Sequence, residues 1–311
     1  MFTIVKSAIE ADIMERIDEA VINFSPQSLF VLNIVLGFIM LGVALNLKVD
    51  HFRELLKTPR VILVGFTSQF VLLPILTFLM ILVADPMPSM ALGMILVASC
   101  PGGNMSNFIT HLSKGNTALS VSLTGISTLM AIFMTPLNFA IWGSINPKTA
   151  AILQNISINN WEMFKIVFLL LAIPLALGMF IAHKYPKFTE KINQPVKLLS
   201  ILIFVAFVFI AFYNNFEAFT KLIGKVFLLV LAHNGIALLM GFYYAKLFKY
   251  PKRDSKTIAV ETGMQNSGLA LVLIFNFFSG MGGMALVAGW WGIWHIISGL
   301  TLSYFWSKDN N

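Results

Sequence analysis

Long apolar runs alternate with short polar stretches along this chain, and the runs have the length that spans a bilayer, ~20 residues. About nine such runs follow residue 28, at 29–48, 61–83, 90–112, 117–142, 162–183, 198–213, 222–247, 257–279 and 284–306. Each predicts a helix, because backbone groups in hydrocarbon are satisfied only within a helix or a closed barrel. Residues 1–28 carry a different pattern. Val5, Ile9, Ile13, Ile17, Val21 and Phe24 recur at helical spacing against Glu10, Asp12, Glu15, Asp18 and Glu19. That spacing predicts an acidic amphipathic helix at the membrane surface. It lacks the uninterrupted apolar core and small-residue cleavage site of a signal peptide.

Composition agrees with this pattern. The 311 residues are 58% hydrophobic and 11% charged, against about 25% charged in a soluble domain. The fold class is an all-α polytopic membrane protein whose surroundings are the lipid bilayer. A net charge of +7 would suggest nucleic acid in a soluble chain, but here the basic residues lie in short loops and report orientation. Lys48, Arg53, Lys57, Arg60, Lys114, Lys184, Lys187, Lys191, Lys197, Lys246, Lys249, Lys252, Arg253, Lys256 and Lys308 follow odd-numbered runs. Fewer, Lys6, Arg16, Lys148, Lys165, Lys221 and Lys225, fall on the other side. The positive-inside rule then predicts a multi-pass protein of the cell inner membrane, with its N-terminus outside and its C-terminus cytoplasmic.

Two runs are interrupted by polarity. In 257–279, Gln265, Asn266 and Ser267 lie between Gly263 and Gly268, Glu261 stands just before Gly263, and the nearest basic residue is Lys256 at the entrance. A carboxylate at a helix centre in lipid costs ~2.5 to 3.5 kcal/mol even on the lenient scale, which makes Glu261 a functional candidate. In 90–112, Ser99-Cys100-Pro101-Gly102-Gly103-Asn104 stops one helix and Met105-Ser106-Asn107 starts another. Freed backbone groups at membrane depth survive only against protein or a water-filled cavity. The two breaks lie five runs apart, and an odd offset inverts topology. Paired interruptions of this kind point to an inverted-repeat transporter, with a first repeat over 29–142 and a second over 162–306. The competing reading is two unrelated glycine kinks that serve helix packing.

Ser120 and Thr124, at i and i+4 on the fourth run, share one helix face. With Ser106, Asn107 and Glu261 they offer hard oxygen ligands and no thiolate or imidazole, which suits a small hard cation. Hydroxyls in membrane helices can equally bond the preceding turn, and Gln69 can equally be a packing amide. His233 and His295 are either hydrogen-bonded packing residues or proton carriers, and Cys100 has no Cys or His partner nearby. Trp161, Trp290, Trp291 and Trp306 fall near predicted helix ends, as an interfacial belt requires.

The stretches SCPGGNMSNFITHLSKGNTALSVSLTGISTL (99–129) and AVETGMQNSGLALVL (259–273), with AHNG (232–235) and WHIISG (294–299), resemble the bile acid:sodium symporter family. The likeness covers the chain from residue 29 onward. It implies a panel domain and a core domain, the core including 61–142 and 222–306, with two crossing discontinuous helices. It also implies two Na+ coupled to import of one organic anion, bile-acid-like or a small carboxylate. By motif, one Na+ would sit among Ser106, Asn107, Ser120, Thr124 and Glu261. The other would use Gln69, Glu261, Gln265 and carbonyls near Thr262 and Met264. The anion would meet Asn104, Met105, Asn266, Ser267 and His295. The chain departs from the pattern in lacking the first helix of the ten-helix form, in having Asn104 where relatives often have Thr, and in having Ile296 after His295.

Other classes fit less well. The chain has no His-Glu-x-x-His, no Gly-x-Ser-x-Gly and no second intramembrane carboxylate, so no enzyme is expected. The alternative is a cation/proton antiporter in which Glu261 titrates.

Overall fold

The computed structural model describes residues 26–45, 59–103, 105–156, 160–214 and 216–308. Within them regular structure is helical, apart from one isolated antiparallel pairing of Gly102 with Gln265. The acidic segment 1–25, the loop residues Lys48, Arg53 and Lys57, and the candidate Asn104 lie outside the described residues.

In chain order, α1 is Pro26–Ala44 and α2 is Pro59–Thr67, which passes through a π-helical turn, Ser68–Leu72, into α3, Leu73–Ala84. Next come α4, Pro88–Ser99, and α5, Met105–Leu112, the two halves of an interrupted helix. They are followed by α6, Thr117–Ile145, α7, Pro147–Ile156, α8, Asn160–Lys184, α9, Pro186–Asn214, and α10, Phe216–Leu247. A second interrupted helix comprises α11, Lys252–Gly263, and α12, Ser267–Phe277, and α13, Gly282–Lys308, completes the order. Among the described residues, five helical stretches are long and apolar enough to cross a membrane: Pro59–Ala84, Thr117–Ile145, Trp161–Lys184, Val226–Leu247 and Gly282–Lys308. Large apolar side chains such as Val83, Phe30, Leu228 and Phe209 face outward, as lipid contact requires. The chain is a polytopic helical membrane protein.

Both interruptions fall at the residues that the Pro and Gly positions single out. Pro101 cannot donate a helical hydrogen bond, and the chain leaves α4 at Ser99 and re-enters α5 at Met105. Two elements differ from the hydropathy pattern. Helix α9 begins at Pro186, well before the expected 198, because its first turns carry exposed Lys187, Glu190 and Lys191. An apolar window stops where a helix leaves hydrocarbon, although the helix itself continues. Helix α7 is short and carries Lys148, Thr149, Gln154 and Asn155, so no hydropathy window marks it. Its start is held by Thr149 Oγ1, which donates to the Gly143 carbonyl at 2.6 Å.

Packing encloses the half-helices. In α4, residues Ser89 to Ser99 are all buried, and in α12 only Gly268, Asn276 and Phe277 escape full burial. Both are apolar on every face, as enclosed helices should be. Leu92, Met94 and Leu96 of α4 join Leu273 and Ile274 of α12 and Trp291 of α13 in one core cluster. On the other flank, α1 packs against α8 and α9.

Candidate functional site

The two helix breaks meet. Gly103 N donates to the Met264 carbonyl at 2.7 Å, and Asn266 N donates to the Pro101 carbonyl at 2.8 Å. This reciprocal pair joins the breaks as a single rung of antiparallel sheet, so each break satisfies backbone groups of the other. The rung needs glycine. A Cβ at Gly102 would lie 2.9 Å from Glu261 Oε2, and one at Gly103 would lie 3.2 Å from the Gln265 carbonyl oxygen.

Carbonyls freed where the half-helices end find matched partners. Thr135 Oγ1, on α6, donates to the Ser99 carbonyl at 2.7 Å, and Asn234 Nδ2, on α10, donates to the Gly263 carbonyl at 2.8 Å. Asn234 is itself oriented by Ser298 Oγ, which donates to its Oδ1 at 2.6 Å. The AHNG and WHIISG stretches are thus tied together behind the second break. Asn266 Oδ1 caps α12 by accepting from Leu269 N at 3.0 Å.

Glu261 faces this crossing from α11 and is 2% exposed. Ser120 Oγ donates to its Oε1 at 2.5 Å, and Thr124 Oγ1 lies 3.1 and 3.0 Å from Oε1 and Oε2. Thr124 Oγ1 also lies 3.2 Å from Ser106 Oγ and 3.4 Å from Asn107 Oδ1. The five side chains assigned to the first ion are therefore contiguous. Acceptor oxygens outnumber the hydroxyl protons near Thr124, and the Ser120 and Thr124 hydroxyls that meet the carboxylate are neutral. Ser127 and Thr128 make the bonds a packing role requires, donating to the Thr124 carbonyl of their own helix. Ser120 and Thr124 instead turn toward the carboxylate.

Gln69 reaches the crossing from the π-helical turn, a feature that often marks functional sites. Pro74 cannot donate to the carbonyl four residues earlier, Phe70, and Asn138 Nδ2 takes its place at 3.0 Å. Gln69 Nε2 lies 3.5 Å from the Cys100 carbonyl and 3.7 Å from the position of a Cβ on Gly102, beside Glu261. Gln265 Nε2 donates to the Thr262 carbonyl at 2.7 Å, which leaves its buried Oε1 without a hydrogen-bond partner. Gln69 Nε2 and Glu261 Oε2 thus lie beside Gly102, and the Met264 and Gln265 carbonyls beside Gly103, with Thr262 linked to them through the Gln265 side chain. Sequence reasoning missed Ser68, whose hydroxyl meets that of Thr262 at 2.7 Å. No spacing signal within either segment connects them.

A cavity of about 70 Å³ opens beside the crossing. Met105, Asn266, Ser267 and His295 line it together, with Ile39 and Met40 of α1 and Ser200 of α9 opposite. His233 lies elsewhere, against Thr77 Oγ1 at 2.6 Å and edge-on to Trp291, the surroundings of a packing residue.

The family model described as the Sodium Bile acid symporter family matches residues 33–222, more than half of the chain. The chain belongs to the sodium/bile acid symporter family. It is 35% identical over 294 residues to the uncharacterized sodium-dependent transporter YocS of Bacillus subtilis, covering 93% of this chain and 88% of that protein. It is 33% identical over 246 residues to the probable chloroplastic sodium/metabolite cotransporter BASS2 of rice, covering 78% of this chain and 56% of that one. The mouse ileal sodium/bile acid cotransporter is 31% identical over 254 residues, with 80% and 70% covered. As a member of this symporter family the protein is a membrane transporter and not an enzyme.

Proposed function

We propose that this family member is a sodium-coupled symporter that imports a small organic anion by alternating access. The observation that carries the reading is Glu261, a buried carboxylate whose nearest partners are the Ser120 and Thr124 hydroxyls, at the point where two helix breaks pair. An ionised carboxylate enclosed by neutral oxygens is stabilised by a cation, and oxygen ligands without thiolate or imidazole favour a hard one. One Na+ is assigned to Ser106, Asn107, Ser120, Thr124 and Glu261. A second is assigned to Gln69, Glu261, Gln265 and the Thr262 and Met264 carbonyls, and the partnerless Gln265 Oε1 supports this second site. The anion is assigned to the adjoining cavity, at the N-terminal ends of α5 and α12 with Met105, Asn266, Ser267 and His295, and with Asn104 between the halves. Both ends present a positive dipole.

Inverted repeats over 29–142 and 162–306 are supported by the two helix breaks, five runs apart, which pair with each other through Gly103 N–Met264 O and Asn266 N–Pro101 O. The group α1, α8 and α9 is the proposed panel, which moves against the remaining helices. The cavity is about 70 Å³, about half that of an apolar cavity that admits benzene, ~150 Å³. That favours an anion of a few carbons over a steroid in this conformation.

Uptake into proteoliposomes, with and without a pH gradient, tests the assignment. Accumulation of an anionic metabolite that needs inward sodium and is indifferent to the pH gradient supports symport. Sodium flux driven by the pH gradient, with no anion required, means cation/proton antiport.

A further inference from the structure

We propose that Asn33 of α1 and Asn276 of α12 form a latch that holds closed the route between the crossing and the far end of α12, and that this pair parts when the route opens. The inference rests on the symport reading, in which α1, α8 and α9 move against the remaining helices, and adds to it a contact that has to break.

Asn276 Nδ2 donates to Asn33 Oδ1 at 3.0 Å, and Asn33 Nδ2 donates back to Asn276 Oδ1 at 3.4 Å. At the other end of α12, Asn266 Nδ2 lies 3.5 Å from Met40 Sδ, so α1 and α12 run antiparallel along each other. Asn33, Leu36 and Met40 share one face of α1, and Asn266, Leu269, Leu273 and Asn276 share one face of α12. Leu36 is 1% exposed and joins Met40, Leu269 and Leu273 in the core cluster. Ile39 and Met40 line the cavity from the α1 side. The seam from Met40 to Asn33 therefore stands between the cavity and the far end of α12.

The two flanks of α1 are held differently. Toward α8 it fits by shape, since a Cβ on Gly178 would collide with Ala44. Toward α12 the contact is the apolar seam, ended by the amide pair. Burial of the leucines favours closure but is non-directional. The amides are directional. A buried amide without a hydrogen bond is costly, so Asn33 and Asn276 are satisfied either by each other or by water in an opened crevice. That gives the seam two discrete arrangements, as a switching contact requires. Asn276 is anchored in both, because its Nδ2 also donates to the Val272 carbonyl of its own helix at 2.8 Å. Among the described residues the Asn33 side chain has Asn276 as its hydrogen-bond partner, so parting falls on Asn33.

The test uses the full-length protein in intact cells, with Leu36→Cys as a reporter inside the seam and an impermeant thiol reagent outside. The native Cys100 is buried. Labelling should be slow with the latch intact, because its rate follows the fraction of molecules in which the seam is open. Asn33→Ala and Asn276→Ala should each raise that rate about fivefold to tenfold, the worth of a broken hydrogen bond. The double variant should match the single ones, since both remove one contact, and a control cysteine at Asn155 should label alike in all of them. Equal rates with and without the amides, or fast labelling with both amides present, overturn the proposal. So do rates that multiply in the double variant. Acceleration seen only in opened cells keeps the latch and reverses the assigned orientation. Sodium-dependent thermal stabilisation of the purified native protein is measured alongside. Its absence counts against the symport reading, whereas an unresponsive Leu36→Cys counts against the latch alone.

Discussion

The Thr124 hydroxyl lies 3.1 and 3.0 Å from the two carboxylate oxygens of Glu261. One hydroxyl has one proton, so it cannot satisfy both oxygens together with Ser106 and Asn107 beside it. The proposed sodium ion would complete this set of oxygens. Ser120→Ala and Thr124→Ala should each weaken sodium binding about fivefold to tenfold, the worth of a ligand near 1 kcal/mol. The double variant should be non-additive, because both hydroxyls act on one carboxylate. Glu261→Gln should abolish sodium-coupled uptake. Sodium titration by thermal stabilisation reads all four variants, and unchanged sodium affinity in the double variant returns these hydroxyls to a packing role.

The glycine pair gives a graded test. A methyl at Gly102 would be driven to 2.9 Å from Glu261 Oε2, whereas one at Gly103 would meet a backbone oxygen at 3.2 Å. Gly102→Ala must therefore displace the carboxylate itself, while Gly103→Ala needs a shift of a few tenths of an ångström. Sodium affinity should fall more than about tenfold in the first and less in the second. The reverse order would remove Glu261 from the ion site.

Thr135 and Asn234 separate stability from ion binding. Thr135→Val strands the Ser99 carbonyl and should destabilise the protein by about 1 to 3 kcal/mol. Its sodium affinity should hold within about twofold, since no assigned ligand adjoins Ser99. Asn234→Leu strands the Gly263 carbonyl, which lies between the assigned Thr262 and Met264 carbonyls. It should lower both thermal stability and sodium affinity. Melting curves of the two variants across a sodium series distinguish the outcomes, and identical sodium responses argue against the carbonyl ligands.

Much of this was legible in the chain, for physical reasons. Pro101 and the neighbouring glycines cannot propagate a helix, so both breaks could be placed to within a residue or two. Ser120 and Thr124 lie one turn apart, so their shared face followed from helical period alone, and a carboxylate in an apolar run marks itself by its desolvation cost. What stayed hidden depends on tertiary approach. Nothing in the sequence around Ser68 or Thr262 announces their contact, and Asn234 acquires its role only when α10 packs on the end of α11. The polar starts of α9 and α7 escaped because hydropathy registers hydrocarbon and not helix.

Orientation has its own test. Lys246, near the end of α10, belongs to the basic side, and Asn155, in α7, belongs to the other. Cysteine at Asn155 should react with an impermeant reagent on intact cells. Cysteine at Lys246 should react only after the cells are opened, as the positive-inside rule requires. The native Cys100 is buried and gives little background. Labelling of both positions from outside rejects the assigned orientation.

The last prediction follows from charge. In the proposed stoichiometry two sodium ions would bring a charge of +2 to a crossing whose fixed charge, among the side chains assigned to it, is Glu261 alone. A monoanion at the N-terminal ends of α5 and α12 restores neutrality where an uncompensated charge is expensive. Each cycle then moves one net positive charge inward. An inside-negative potential of about 100 mV adds ~2.3 kcal/mol to accumulation, or about fiftyfold beyond the sodium gradient. Current recorded on a solid-supported membrane should be inward-positive and should require sodium and the anion together. It should shrink in Asn266→Ala, since Asn266 caps α12 through Leu269 N and lines the cavity. Electroneutral uptake of a monoanion would reduce the stoichiometry to one sodium ion and leave Gln265 Oε1 to some other partner.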